Sequence, residues 1–114
     1  MGNRLNLDQV NALADGDADF VRDILQTFRD NAPEMLSELK GKQAANDMEG
    51  TAFFAHKLKS NLRLLGLADA GSVADAIEEG AKDGSNYDFA GGIQSLEKEL
   101  NAALKDLDEL LAAG

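Results

Sequence analysis

The chain has 114 residues, 44% apolar and 28% charged, with 21 acidic residues against 11 Lys and Arg and a formal charge of -10. That length suits a single domain spanning 1–114, and the composition is that of a globular protein rather than a disordered one. Nucleic acid and anionic membrane would be repelled by most of such a surface, so neither is an expected partner. With no cysteine there is no disulfide framework, thiolate nucleophile or cysteine-held metal. The opening MGNRLNLDQV lacks the apolar core of a signal peptide and no run approaches membrane-spanning length, so a cytoplasmic location is expected.

Apolar residues recur at three- and four-residue steps, and no segment shows convincing strand alternation, which predicts an all-α chain. A short first helix is expected after Asn6, with Asn6 and Gln9 at capping-box spacing, ending near Ala14 before Asp15-Gly16. A second is expected from Ala18, capped by Asp17, with an apolar seam of Val21, Ile24, Phe28, Ala32, Met35 and Leu39 and Gly41 near its end. Pro33 lies inside that seam. Because the apolar phase continues across it, one bent helix is favoured over two.

Asn46 and Glu49 form another capping-box pair, opening a third helix from about Asp47 to Leu65. Gly66 is placed to end it in the left-handed conformation. A fourth helix is expected over roughly Asp69 to Lys82, with Val73, Ala76 and Ile77 inward. The loop AKDGSNYD then leads to a fifth, about Phe89 to Leu111, whose seam is Phe89, Ile93, Leu96, Leu100, Ala103, Leu107 and Leu110. Four long helices with short connections predict an antiparallel four-helix bundle, with the short N-terminal helix covering one end. A monomer is the expected state, because the fifth helix has partners within the chain.

The stretch AFFAHKLKSNLRLLG holds the only histidine, His56, with Lys57, Lys59 and Arg63 and no acid. On a helical wheel Met48, Thr51, Ala55, Leu58, Leu62 and Leu65 form the core stripe, and His56 lies about 140° from its centre. Lys59 and Arg63 follow it at three and seven residues, with Ser60 at four and Ala52 one turn before. Phe53, Leu64 and Leu67 are candidates for an apolar rim beside the histidine or for packing against neighbouring helices.

An exposed neutral imidazole is a capable nucleophile near pH 7. The nearby cations would attract an anionic group such as phosphoryl, and the small neighbours leave room for a bulky donor. Between Glu49 and Asp69 there is no carboxylate to hold the Mg²⁺ that commonly assists phosphoryl transfer, so an acidic partner site would have to bring it. Taken without further context, the same features also suit an inert solvated histidine.

Other motifs fail on spacing. DGDADF begins like a calcium loop, but Phe20 stands where glycine is needed and Gln26 where glutamate is needed. No G-x-S-x-G elbow is present, and no second metal ligand shares the face of His56.

His56-Lys57-Leu58-Lys59-Ser60, with Gly66 ten positions after the histidine, resembles the H-x-L-K-G signature of histidine-containing phosphotransfer (HPt) domains. The order of helices is similar over nearly the whole chain. The resemblance implies that His56 is the phosphoacceptor, carrying phosphoryl between aspartates of response-regulator receiver domains in a two-component phosphorelay, with a hybrid histidine kinase a further candidate partner. It implies that Lys59 assists at the phosphoryl group. Ser60 replaces the usual glycine but stays small, and Gly66 matches the second glycine.

Phe53, Ser60, Arg63, Leu64, Gly66 and Leu67 are the expected partner-binding positions. The chain would be a phosphocarrier rather than an enzyme, with no cofactor of its own and Mg²⁺ supplied by the receiver. The alternatives are a non-catalytic helical adaptor that binds an acidic partner through the basic face around His56, and an inactive relative that keeps receiver docking.

Overall fold

The computed structural model describes residues 5–84 and 86–113, and its described residues form five helices without strands: α1 (Asp8–Ala14), α2 (Ala18–Ala44), α3 (Met48–Leu64), α4 (Ala68–Asp83) and α5 (Phe89–Ala113). Ser85, in the predicted loop after α4, lies outside the described residues. None of the described helices is long and apolar enough to cross a membrane.

The helix starts follow from local chemistry. Asp17 caps α2 as expected, its Oδ1 accepting from the backbone N–H groups of Asp19 at 3.0 Å and Phe20 at 3.2 Å. The cap of α3 falls one residue later than the predicted Asn46–Glu49 pair. Asn46 takes a left-handed φ of 59° in the turn after α2, and Asp47 instead accepts from the Gly50 N–H at 2.9 Å. At α1, Asn6 accepts from the Asp8 N–H at 3.0 Å, but Leu7 holds the cap position, so Asn6 stands one residue too early for a capping box with Gln9. Helix α2 runs through Pro33 unbroken, as the continuous seam predicted.

Three-residue connections reverse the chain between α2, α3 and α4, and α5 closes the ring by packing on both α4 and α2. The result is an antiparallel four-helix bundle, with α1 against α2. Val10 of α1 is fully buried in the shared core, and the Asn6 N–H donates to the Leu65 carbonyl at 2.9 Å, tying the N-terminal segment to the end of α3.

Some seams shift from expectation. In α2 the buried stripe is Leu25, Phe28, Ala32, Leu36 and Leu39, while Val21, Ile24 and Met35 are only partly covered. The helix packs between α3 and α5, so its inner stripe is wider than a two-position seam and centred one residue over. In α4, Ala76 is exposed, and the inner face is built from Ala70, Gly71, Ala74, Ile77, Glu78 and Ala81. Helix α5 matches its predicted seam from Ile93 through Leu107, while Phe89 and Leu110 are only partly buried and Leu111 is buried instead.

Gly66 ends α3 as expected, with a φ of 74°. Its N–H reaches the Arg63 carbonyl at 3.0 Å and the Leu67 N–H reaches the Leu62 carbonyl at 2.9 Å, the paired bonds of a Schellman turn. A Cβ at Gly66 would run into Asn6. This turn therefore fixes both the exit of α3 and the seat of the N-terminal segment.

Candidate functional site

Helix α3 turns Thr51, Ala55, Leu58 and Leu62 into the core, which leaves His56 on its outer side with 58% of its side chain exposed. The imidazole does not stand alone. Its Nδ1 lies 3.1 Å from Oε2 and 3.3 Å from Oε1 of Glu78, which projects from α4 and is only 2% exposed. The same carboxylate takes Lys59 Nζ on Oε1 at 2.6 Å and Lys82 Nζ on Oε2 at 2.8 Å. Lys59 also meets Asp75 Oδ1 at 3.2 Å.

The spacing explains the convergence. His56 and Lys59 are one turn apart on α3, and Asp75, Glu78 and Lys82 lie three and four residues apart on the face of α4 that meets it.

A buried carboxylate is costly unless paired. Burial alone pushes the Glu78 carboxyl up, but hydrogen bonds from Lys59 and Lys82, reinforced by the charge of Lys59 and the neighbouring His56, outweigh that and bring it down to about 2. Glu78 is therefore an anion at neutral pH, able only to accept. Its partner nitrogen on His56 must be the donor, which assigns the hydrogen of the neutral ring to Nδ1. Nε2 is left with the lone pair, on a ring that is more than half exposed. The Lys59 and Lys82 ammonium groups are in turn shifted upward, chiefly by their hydrogen bonds to Glu78.

On the other flank of α3 an open apolar groove faces α2. It has a volume of about 230 Å³ and is lined by Phe20, Ile24, Phe28, Met35 and Leu64 among others. The outer face of α3 thus has a polar edge against α4 and an apolar edge against α2.

The Hpt domain family model matches residues 23–113, which takes in α3, α4, α5 and most of α2. The chain belongs to the Hpt domain family. The crystal structure of the HPT domain from a Shewanella Hpt sensor hybrid histidine kinase superposes on this Hpt domain with a TM-score of 0.80. It is 20% identical, with 98% of this chain and 97% of that one covered, a likeness of fold. No curated protein sequence matches the chain.

Set against this geometry, several sequence expectations change. Lys59 was expected to be an accessible cation beside the histidine. Only 14% of its side chain is exposed, because it is held between Glu78 and Asp75. The acid-free stretch of α3 was expected to await an acidic partner, yet α4 supplies its counter-charge from within the domain.

Among the rim positions Phe53 is 56% exposed, with Lys57 Nζ 5.1 Å above its ring, and Ser60 is also exposed. Leu64 is half-buried at the groove. Leu67 is only 4% exposed and belongs to the core, since the Schellman turn folds it inward, so it offers no docking surface. Gly66 packs against Asn6, a structural position. Arg63 is exposed and leans over α4, where a Cβ at Gly71 would sit 3.2 Å from its Cγ.

Glu78 and Lys82 were missed in the sequence. The available signal was a glutamate one residue after Ile77 and four after Ala74, on the inner edge of α4. An acid at such a position asks for a partner, and the only basic run lies on the preceding helix.

Proposed function

We infer that His56 is the phosphoacceptor through which this Hpt domain passes phosphoryl groups between the aspartates of receiver domains in a phosphorelay. The observation that carries this is an exposed imidazole whose Nδ1 lies 3.1 Å from the buried carboxylate of Glu78, which leaves Nε2 as the ring nitrogen to react. Family membership supports the phosphotransfer role.

In the forward step the Nε2 lone pair attacks phosphorus of a receiver's aspartyl phosphate. The N–P bond forms, the P–O bond to the aspartate breaks, and the carboxylate leaves with the bonding electrons. The ring becomes cationic while Nδ1 keeps its hydrogen, and Glu78, already an anion, stabilises that charge without taking the proton. This is the orienting role that a carboxylate plays behind a catalytic histidine. Transfer onward reverses the step with a second receiver. The receiver brings its own carboxylates and Mg²⁺, and this domain contributes the nucleophile and its orientation.

Docking uses the outer face of α3 around Phe53 and Ser60, extended by the groove toward α2 and by Arg63 on the other flank. Incubation with a phosphorylated receiver domain and following of acid-labile label tests the assignment. The wild type should take up label, and His56→Gln should take up none while keeping its helical circular dichroism. Binding without any transfer of label would favour an adaptor instead.

A further inference from the structure

We propose that Lys82 of α4 is the cation that contacts the phosphoryl group on His56, and that Lys59 is the strut that keeps Glu78 in place. This rests on the reading of His56 as phosphoacceptor.

Accessibility separates the two lysines. Lys82 is 56% exposed and Lys59 14%. Lys59 is gripped from two sides, by Glu78 Oε1 at 2.6 Å and Asp75 Oδ1 at 3.2 Å, so moving it outward breaks two ion pairs and strips Asp75 of its partner. Among the described residues Lys82 is held by Glu78 alone, at Oε2, the oxygen that also lies nearest His56 Nδ1. Its ammonium therefore shares a carboxylate oxygen with the ring, and its four-carbon stem is flexible enough to swing toward the other ring nitrogen.

Charge balance favours the same exchange. At rest the charges of the two lysines offset those of Glu78 and Asp75. A phosphoryl group on Nε2 brings up to two negative charges beside it. When Lys82 turns to that group, Glu78 keeps Lys59 and gains a cationic imidazole at Nδ1, so the buried carboxylate is never left unpaired. The same move by Lys59 would bring a more buried ammonium outward and would also break its pair with Asp75.

Potassium phosphoramidate, a small phosphoryl donor, tests this without a receiver. Nε2 attacks phosphorus, the N–P bond to the ammonia nitrogen breaks, and ammonia leaves with the electron pair. Phosphohistidine formation is followed by phosphorus NMR, and the lysine ammonium and imidazole nitrogens by nitrogen-detected spectra.

Lys82→Ala should slow formation about tenfold, with Lys82→Arg restoring most of it. Lys59→Ala, assayed at a temperature where it is folded, should slow it less than about threefold. These magnitudes are modest beside the loss of a buried oxyanion donor. In the wild type the Lys82 ammonium resonance should move on phosphorylation and that of Lys59 should stay.

A wild type that takes no phosphoryl group on His56 defeats the phosphoacceptor reading and this proposal with it. A phosphorylated wild type in which Lys59 moves instead, or a Lys82→Ala rate within twofold of wild type, overturns the Lys82 assignment alone. A slowed Lys82→Ala protein whose imidazole shifts have changed at rest points to a displaced ring and overturns the contact as well.

Discussion

The α3–α4 and α2–α5 seams both carry ion pairs, and they differ in what those pairs do. Between α2 and α5, Arg29 meets Asp108 at 2.7 Å and Lys40 meets Glu97 at 2.8 Å, each pair well exposed. Between α3 and α4, one carboxylate that is almost fully buried collects an imidazole and two ammonium groups. The outer pairs decorate a bundle whose packing is already set by Leu25, Phe28, Leu100 and Leu107. The inner cluster occupies a place where hydrocarbon would pack as well, and a buried ion cluster is a poor route to stability. Its presence beside the only histidine is understood through what it does to that ring.

The largest effect should come from the turn that sets the register of the α3–α4 seam. Gly66→Val forces a β-branched residue into a left-handed φ and into Asn6, and should cost about 3 kcal/mol or more in urea unfolding. A smaller loss would mean that the turn can relax without carrying the seam with it.

Next, Glu78→Ala should cost about 2–3 kcal/mol near pH 7, since it removes a buried acceptor from three donors. The pH dependence has a definite sign. The folded carboxyl titrates at about 2, below its ordinary value, so its contribution is complete above about pH 4.5 and is lost as pH falls toward 2. The stability gap between wild type and Glu78→Gln should therefore be widest near neutrality and close across that acid window. A gap that stays constant down to pH 2 would show that Glu78 is not held as an anion.

Lys59→Ala should lower the melting temperature by about 5 °C and Lys82→Ala by no more than about 2 °C, in line with their different exposure. Equal shifts would erase the distinction between strut and mobile cation.

How much of this was legible in the sequence depended on the range of the interaction. Helix number, the Asp17 cap, the Gly66 turn and the outward position of His56 follow from neighbours within one or two turns, and these agree with the structure. The failures are interhelical. Whether Val21 or Leu25 lies deeper depends on how α2 rolls between α3 and α5, and the burial of Leu67 depends on how the turn after Gly66 folds back. Glu78 lies 22 positions from His56, a separation that periodicity in α3 alone does not register. Lys59 was misjudged for the same reason: a lysine off the core stripe of its own helix is exposed only if the next helix leaves it so, and the small residues of α4 bring that helix close.

The smallest expected effect is the most direct check on the comparison. Lys40→Ala and Arg29→Ala should each change stability by about 0.5 kcal/mol or less, because exposed pairs trade one good solvent for another and lose side-chain freedom in the exchange. What difference there is should fade in 0.5 M salt, where screening reaches within a few ångströms. Loss of Glu78, sheltered from solvent, should cost nearly the same in that salt as without it. If the outer pairs resisted salt and the inner cluster yielded to it, the inner seam would be open to water, and the fixed orientation of His56 on which the proposed phosphoryl transfer rests would go with it.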